Sequence, residues 1–379
     1  MTFYTYIWKQ KDWPQFKWQS EKLISSLSRA RFLQGELLSS IRSLGLDKNS
    51  EPVSEILIEE TIKTAAIEGV KLDRETVRSS VAQRLGLPTA GLKPTDRNVE
   101  GLVDVLFDAT TNYSKSLTAK RLKSWQAALF PTGYSGLAKV RTGKWRDKRP
   151  MQVVSGPIGR EKIHFQAPLS DRLDSEIKQF IGWWGNKLKN VDGLLRAGIA
   201  HLYFVTMHPF EDGNGRIARA LTDMALAQDE NLANRYYSLS SAIMAGRKSY
   251  YDILEKTQKG TLDITEWLSW FLKCYLCAIK ESEKSIFKAL QKGAFWQKHA
   301  QTILNKHQQK VINRLLDAGE GGFEGGLTTR KYVSMTKTSR ATAYRDITDL
   351  VEKKILVSSK AKGRSVSYEL LLPKISRVS

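Results

Sequence analysis

Apolar positions recur with a helical period along most of the chain, and two stretches dominate the pattern. From Leu194 to Met207 the sequence is apolar at nearly every position, long enough for a buried helix. After an interruption, Ile217, Leu221, Met224 and Ala225 resume with the spacing of one apolar helix face. Other helical patterns cover about Ser20–Leu44, Asn98–Tyr113, Ala119–Leu129 and Ser170–Leu188, and a capped helix starts at Asp263-Ile264-Thr265-Glu266-Trp267. A further helix runs from Pro52–Ser54 to Gly69, with proline early and glycine just past its end. Leu85–Asp96 is a Gly/Pro-rich connection. Met151–Val154 and Lys162–Phe165 are β-prone and flank the turn signal Ser155-Gly156-Pro157-Ile158-Gly159, which predicts a β-hairpin. The opening segment is different: Phe3, Tyr4, Tyr6, Trp8, Trp13, Phe16 and Trp18 follow no helical period around Pro14, and predict an extended arm fixed to a helix by its rings.

The last part changes character again. Residues 301–379 carry 15 Lys/Arg against 7 Asp/Glu. A helix over about Gln301–Leu316 leads into a glycine-rich loop, Gly319–Gly326. Thr328–Ser334, a turn and Ser339–Lys353 follow, then β-prone Leu356–Ser359 and Ser365–Leu371 around Lys360-Ala361-Lys362-Gly363-Arg364. That order resembles a winged helix-turn-helix. The resemblance places Ser339, Arg340, Thr342, Ala343 and Arg345 on the first turns of a recognition helix and Lys360, Lys362 and Arg364 on the wing, where DNA would be contacted. A degenerate winged helix used for protein contact is the alternative.

Composition narrows the function classes. With 379 residues, 41% hydrophobic and 26% charged, the chain reads as an ordinary soluble protein of two or three domains. Met1–Lys11 lacks the apolar run of a signal peptide. No apolar stretch reaches membrane-spanning length; residues 264–280 come nearest and are interrupted by Glu266 and Lys273. The net charge of +21 is spread along the chain, so by itself it points as much to a solvated surface as to nucleic acid or acidic partners. Cys274 and Cys277 stand alone, which excludes a zinc site built on them and fits reduced thiols in the cytoplasm.

The interruption between the two dominant apolar patterns is His208-Pro209-Phe210-Glu211-Asp212-Gly213-Asn214-Gly215-Arg216-Ile217-Ala218-Arg219. Gly213 and Gly215 permit backbone conformations and close approaches that a Cβ forbids. A helix starting near Asn214 offers unpaired N–H groups and the positive end of its dipole to an anion. Arg216 and Arg219 lie close together on that helix, an arrangement suited to a polyphosphate. Asp212 is a hard oxygen ligand placed to share a Mg2+ with those phosphates. His208 is the one group here that takes a proton near neutral pH. No G-x-x-x-x-G-K-[ST] loop is present.

This run matches the Fic family motif HPFx(D/E)GN(G/K)RxxR at every fixed position. The resemblance implies a mainly α protein with a Fic-type helical core, a β-hairpin flap and transfer of AMP from ATP to a Ser, Thr or Tyr hydroxyl of a target protein, the chain itself included. His208 would be the general base and Asp212 the Mg2+ ligand. Gly213, Asn214 and Gly215 would cradle the phosphates, Arg216 and Arg219 would neutralise them, and Phe210 would pack inward. The kinase-like branch of the family carries Lys where this chain has Gly215, which favours AMP transfer over phosphoryl transfer. Thr64-x-x-x-Glu68-Gly69 matches the (S/T)xxxE(G/N) motif of the family's inhibitory helix. By that resemblance Glu68 would reach Arg219 and keep it from the γ-phosphate, with Thr64 helping to place the helix. The hairpin, at Val154, Ser155 and Gly156, would be the flap that clamps the target by strand addition. Asn234-Arg235-Tyr236-Tyr237 and Tyr250, Tyr251 and Gln258 are similar to segments lining the family's adenine pocket. The basic run Arg141–Arg149 beside the flap fits acidic targets and, equally, solvated loop charge. His201, seven residues before His208, could pair with it on a metal only if the proline break and the lack of a third His are ignored. The Tyr6-Ile7-Trp8…Asp12-Trp13-Pro14…Trp18 opening is similar to an N-terminal domain of one bacterial subgroup of the family, read here as a stabilising cap.

The organisation expected is an arm and helix over 1–50, a Fic domain over 51–290 containing an inhibitory helix 52–69 and a flap 150–166, and a winged helix over 300–375. The cofactors implied are ATP as substrate and Mg2+. The partners implied are a target protein, DNA through the C-terminal segment and a second copy of the chain as a homodimer, with no membrane. Two other functions use the same residues: a DNA-binding regulator with the Fic fold as nucleotide sensor, and a de-adenylylating enzyme in which Glu68 positions water.

Overall fold

The Leu194–Met207 run forms helix α7, Gly193–Met207, in a computed structural model of the chain. It describes residues 6–43, 50–89, 91–156, 160, 162–186, 191–318, 325–358 and 366–373. Every residue of α7 from Ala197 to Met207 is buried. The Asp192 carboxylate accepts the Leu194 N–H at 2.8 Å and starts the helix. Helix α8, Asn214–Glu230, packs along α7 and buries Ile217, Ala218, Leu221, Met224 and Ala225.

The chain divides into two compact units, Met1–Ser282 and Glu283–Ser379, the boundary falling inside helix α11, Thr265–Lys298. In the first unit, α1 (Ser20–Ser43), α2 (Ser50–Ile67), α3 (Arg74–Arg84), α4 (Arg97–Thr111), α5 (Ala119–Leu129), α6 (Leu173–Gly185), α9 (Leu239–Ala245) and α10 (Arg247–Gln258) accompany the α7–α8 pair. Two antiparallel hairpins interrupt them. The first is β1–β2, Tyr134–Ser135 with Ala138–Lys139; the second is β3–β4, Gln152–Ser155 with Lys162–Gln166. Among the described residues no helix is long and apolar enough to cross a membrane.

Most predicted helices lie within a few residues of their expected bounds, and α5 coincides with its own. Helix α3 had no counterpart in the sequence pattern. It offers only Val77 and Val81 as large apolar residues, too few to show a period, yet both are fully buried against Ile58, Val99 and Val103. Its start is chemical: Asp73 accepts the Thr76 N–H at 3.2 Å. The aromatic arm is part of this unit. Ile7, Trp8 and Trp13 are buried, and the indole N–H groups donate to the Gln166 carbonyl at 2.7 Å and to Glu176 at 2.8 Å. Lys17 pairs its backbone with that of Leu262 and Ile264.

The second unit contains α12 (Lys306–Ala318), α13 (Thr329–Thr336), α14 (Arg340–Glu352) and the antiparallel pair β5–β6, Leu356–Ser358 with Tyr368–Leu370. Its own core joins Val311, Ile312, Leu315, Tyr332, Ala343, Ile347, Leu350 and Leu356. The first of these helices starts later than its apolar pattern predicts. Asn305 and Gln308 exchange side-chain bonds to each other's backbone N–H, both 2.9 Å, a capping box that fixes the boundary.

Candidate active site

Helix α7 ends at His208 because the next residue is proline, which has no N–H to give and crowds the residue before it out of the helical region. His208 adopts a left-handed conformation, φ 49° and ψ 58°. A non-glycine residue there costs roughly 1–3 kcal/mol and persists only where surrounding contacts hold it. Arg146 supplies them: its Nε donates to the His208 carbonyl at 2.9 Å, its backbone N–H to the Pro209 carbonyl at 2.9 Å, and its Nη2 to the Pro168 carbonyl at 2.5 Å. The His208 imidazole lies 3.2 Å through Nδ1 from the Val205 carbonyl. A carbonyl can only accept, so Nδ1 carries the proton and Nε2 keeps its lone pair. Burial, reinforced by the Arg146 charge, lowers the His208 pKa, so the ring is a free base at neutral pH.

The loop after His208 is closed from within. The Asn214 side chain accepts the Phe210 N–H at 3.0 Å and donates to the Phe210 carbonyl at 2.8 Å. The Phe210 ring is buried, 4.8 Å from the Trp145 ring centre. Thus Asn214 is spent on the loop through its side chain, while its backbone N–H belongs to the first turn of α8. Gly213, at φ 91°, caps that helix in a conformation closed to most residues, and its carbonyl accepts from Ile217. The amides of residues 214–216 precede the first intrahelical donor, Ile217, and so have no acceptor within the helix; they stand at the positive end of its dipole.

Charge converges on that end. Arg216 lies with its guanidinium 4.8 Å over the Phe130 ring and 3.7 Å from Asp212. Asp212 accepts the Gly213 N–H at 2.5 Å. Its side chain is 42% exposed, which leaves its carboxylate open to a hydrated cation. No group of three or more His, Cys, Asp or Glu able to hold a metal occurs among the described residues. A single carboxylate beside the unpaired amides of a helix start would fit a Mg2+ whose other ligands were phosphate oxygens and water.

Arg219 is 2% exposed and is held by α2 and the residue just past it: Nε donates to the Thr64 hydroxyl at 2.6 Å, Nη2 to the Thr64 carbonyl at 3.0 Å and to Glu68 Oε1 at 2.7 Å. Its Nη1 is buried without a partner. Burial disfavours the guanidinium charge, and the Glu68 carboxylate reverses that, raising the Arg219 pKa above its ordinary value. Glu68 is delivered there by the end of α2. Gly69, at φ 82°, turns the chain out of the helix, and the Val70 N–H bonds back to the Ala65 carbonyl at 3.0 Å. Arg247 and Tyr251, both on α10, donate to the Ile67 carbonyl at 2.8 and 3.1 Å and hold the same terminus. Gly215 matters for space: a Cβ there would lie 2.1 Å from Glu68 Oε1.

The remaining site candidates divide. Tyr250 is in the core, 2.8 Å from His201 Nε2, and Gln258 is buried with its amide 3.3 Å from the Thr206 hydroxyl. Tyr251 is 37% exposed beside the end of α2. His201 uses Nδ1 on Thr222 at 3.0 Å as well, so both its nitrogens are occupied inside the protein. Val154, Ser155 and Gly156 lie on the exposed edge of the second hairpin. Arg340 and Arg345 are exposed on α14, whereas Ala343 is buried beneath it. Lys360, Lys362 and Arg364 lie outside the described residues, as do 157–159 of the turn.

The role of Arg146 was not legible locally, where it is one of several cations in 141–149; Arg141, Lys144, Lys148 and Arg149 are exposed, whereas Arg146 is only 5% exposed. Its partners are 22 and 62 residues away, beyond any spacing rule.

Residues 116–226 match the profile of the Fic/DOC family. This stretch is a Fic/DOC domain. Residues 6–87, before it, match a domain of unknown function, DUF4172. Over 118 residues the chain is 28% identical to an Aquifex aeolicus protein named as a probable protein adenylyltransferase, covering 31% of this chain and 34% of that one. Over 150 residues it is 26% identical to the protein adenylyltransferase fic-1 of Caenorhabditis elegans, covering 36% and 28%. The matched stretch therefore spans about a third or less of these relatives. A crystal structure of a Fic family protein from Desulfovibrio desulfuricans superposes with a TM-score of 0.52 at 20% identity, covering 93% of this chain and 97% of that one, a likeness of fold. The Fic/DOC stretch contains His208, Asp212 and both site arginines; Glu68 and Thr64 reach it from the DUF4172 stretch.

Proposed function

We propose that the chain transfers AMP from ATP to protein hydroxyls and holds itself inactive through Glu68. His208 Nε2 takes the proton of the attacking hydroxyl as it bonds to the α-phosphorus. The phosphates lie on the amides of residues 214–216, with Arg216 and Arg219 offsetting their charge and Asp212 holding Mg2+, which would further screen the phosphates. Pyrophosphate leaves. In the inhibited form the Arg219 fork is engaged by Thr64 and Glu68 and cannot turn toward a γ-phosphate. The 2.7 Å contact between Glu68 and Arg219 carries the reading of self-inhibition. The hairpin at Val154–Gly156 is the surface on which a target segment would be held. Tyr251 is the exposed ring nearest the end of α2 and would face the nucleoside, with Tyr250 and Gln258 supporting from behind.

The deciding experiment is mass spectrometry of the Glu68→Gly protein incubated with ATP and Mg2+. Gain of AMP on the protein, well above wild type, is expected. Gain of phosphate, or of nothing, overturns the reading.

A second reading concerns the second unit. Its order of three helices and a strand pair fits a winged helix-turn-helix, and α14 leaves Arg340, Tyr344 and Arg345 exposed near its start. We propose DNA contact through this face. A salt-dependent gel shift of the full chain, weakened in R340A/R345A, is expected; a shift unchanged by the double substitution removes these residues from the contact.

A further inference from the structure

The β3–β4 hairpin carries a bulge. Its register pairs Val153 with Phe165 but Val154 with Ile163, so His164 is the extra residue. In an unbroken ladder His164 would oppose Val154 and stand on the face away from Ser155. The bulge instead brings its Nε2 to 2.6 Å from the Ser155 hydroxyl. The other ring nitrogen, Nδ1, is 2.6 Å from Glu255 Oε2, on α10. Partial burial acts to raise the Glu255 pKa, but hydrogen bonds from Lys259 and His164 bring it below the usual carboxylate range. An ionised carboxylate only accepts, so Nδ1 carries the proton and Nε2 is the lone pair that receives the Ser155 O–H. Hydroxyl, imidazole and carboxylate thus stand in the order that activates a serine, nucleophile to base to orienting group. A structural tie between flap and α10 would need only one of these bonds and no exposed hydroxyl; here Ser155 is exposed.

The hairpin is also fastened to the candidate active site. Arg146 bonds both the His208 carbonyl and the Pro168 carbonyl, two residues past the end of β4. Glu255 is one helical turn before Gln258, whose amide meets Thr206, two residues before His208.

We propose that Ser155 is an acceptor built into the protein: its hydroxyl, relayed through His164 to Glu255, takes AMP from ATP. This inference rests on the adenylyl-transfer reading above. The Ser155 Oγ–P bond forms at the α-phosphorus, the bond to the β-phosphate oxygen breaks, and pyrophosphate leaves with that electron pair. At this acceptor the hydroxyl proton goes to His164 Nε2 in place of His208, and Glu255 orients the resulting imidazolium. Glu255 is a positioning residue; His164 touches the reacting atom.

The test is site-resolved mass spectrometry of the full-length Glu68→Gly protein with ATP and Mg2+. AMP on the peptide containing Ser155 is expected. His164→Gln should lower the rate at Ser155 by about 10²-fold, the scale of a positioned base, and Glu255→Gln should lower it in the same direction. Ser155→Thr, which keeps a hydroxyl, should retain AMP at position 155, whereas a hairpin that merely lost its shape would not be rescued this way. AMP found elsewhere but absent from Ser155 overturns this inference and leaves adenylyl transfer standing. An unchanged rate at Ser155 in His164→Gln overturns the relay. No AMP anywhere sinks the adenylyl-transfer reading, and this proposal with it.

Discussion

Glu68 stands where a side chain on residue 215 would have to begin: its Oε1 is 2.1 Å from the Cβ position of Gly215. The two residues lie 147 apart in sequence and in different matched domains. Gly215→Ala therefore forces the carboxylate off Arg219, and losing a hydrogen bond to a charged group costs about 1.5–3 kcal/mol. With Glu68→Gly already made, the obstruction is gone, and alanine in a first helical turn should be within roughly 1 kcal/mol of neutral. The two substitutions should be non-additive by at least about 1 kcal/mol in urea unfolding. Additive effects would mean that the carboxylate does not occupy this space in solution.

Thr64 is the less obvious half of the same lock. Its hydroxyl accepts from the buried Arg219 Nε at 2.6 Å. Thr64→Val keeps the shape and removes the acceptor, leaving a buried cationic N–H unpaired at a cost of about 1–3 kcal/mol. Because Glu68 still reaches Nη2, hydrogen exchange over residues 60–69 should quicken, and self-labelling with AMP should rise less than in Glu68→Gly. Exchange as slow as in wild type would show that the Glu68 contact alone seats α2.

What could be read in advance follows from range. The α7–loop–α8 unit is contiguous, so its period, its proline stop and its glycines all lie within one stretch, and the family motif is carried there. Thr64, Glu68 and Gly69 also share one helix end, and their motif carries the pairing with Arg219 that the structure has. By contrast, α3 is held by two valines and a cap, and a pattern that thin does not rise above the background. The bulge at His164 is invisible to a strand pattern, since alternation assigns that ring to the wrong face. Arg146 and Glu255 act through partners brought in by the fold. In the basic run Arg141, Lys144, Lys148 and Arg149 stay exposed and Arg146 is buried, because sequence shows how many cations are present, not which one is drawn inward.

His201 makes a pH prediction about stability. Desolvation, with the Arg219 charge adding to it, lowers its pKa to about 3. Its unfolded value is near the ordinary ~6.5. Between those limits the unfolded chain binds a proton that the folded chain refuses. The sign is therefore loss of stability as pH falls below about 6.5, at up to about 1.4 kcal/mol per pH unit from this group. His201→Gln removes that dependence. The stability gap between wild type and variant should narrow, and can reverse, as pH is lowered from 7 to 5. A gap independent of pH would place a proton on His201 in the native state.

His208 titrates in the same direction but with a different consequence, because its neutral form is what transfer requires. Burial, and the Arg146 charge after it, hold its pKa below the ordinary histidine value. In the Glu68→Gly background, kcat/KM for AMP transfer should therefore be flat from pH 8 down past about 6.5 and fall only below it. The carboxylate of Glu68 acts to raise the His208 pKa, so removing it moves the acid limb lower still. His208→Ala should lose about 10²- to 10⁴-fold in transfer to hydroxyls other than Ser155 and still bind ATP, since the proposed phosphate contacts come from the start of α8 and its arginines. ATP binding lost together with transfer would make the imidazole a binding group. An acid limb centred at or above pH 6.5 would mean that Nε2 is open to water in the working enzyme, and the proton acceptor in the reaction would have to be sought elsewhere.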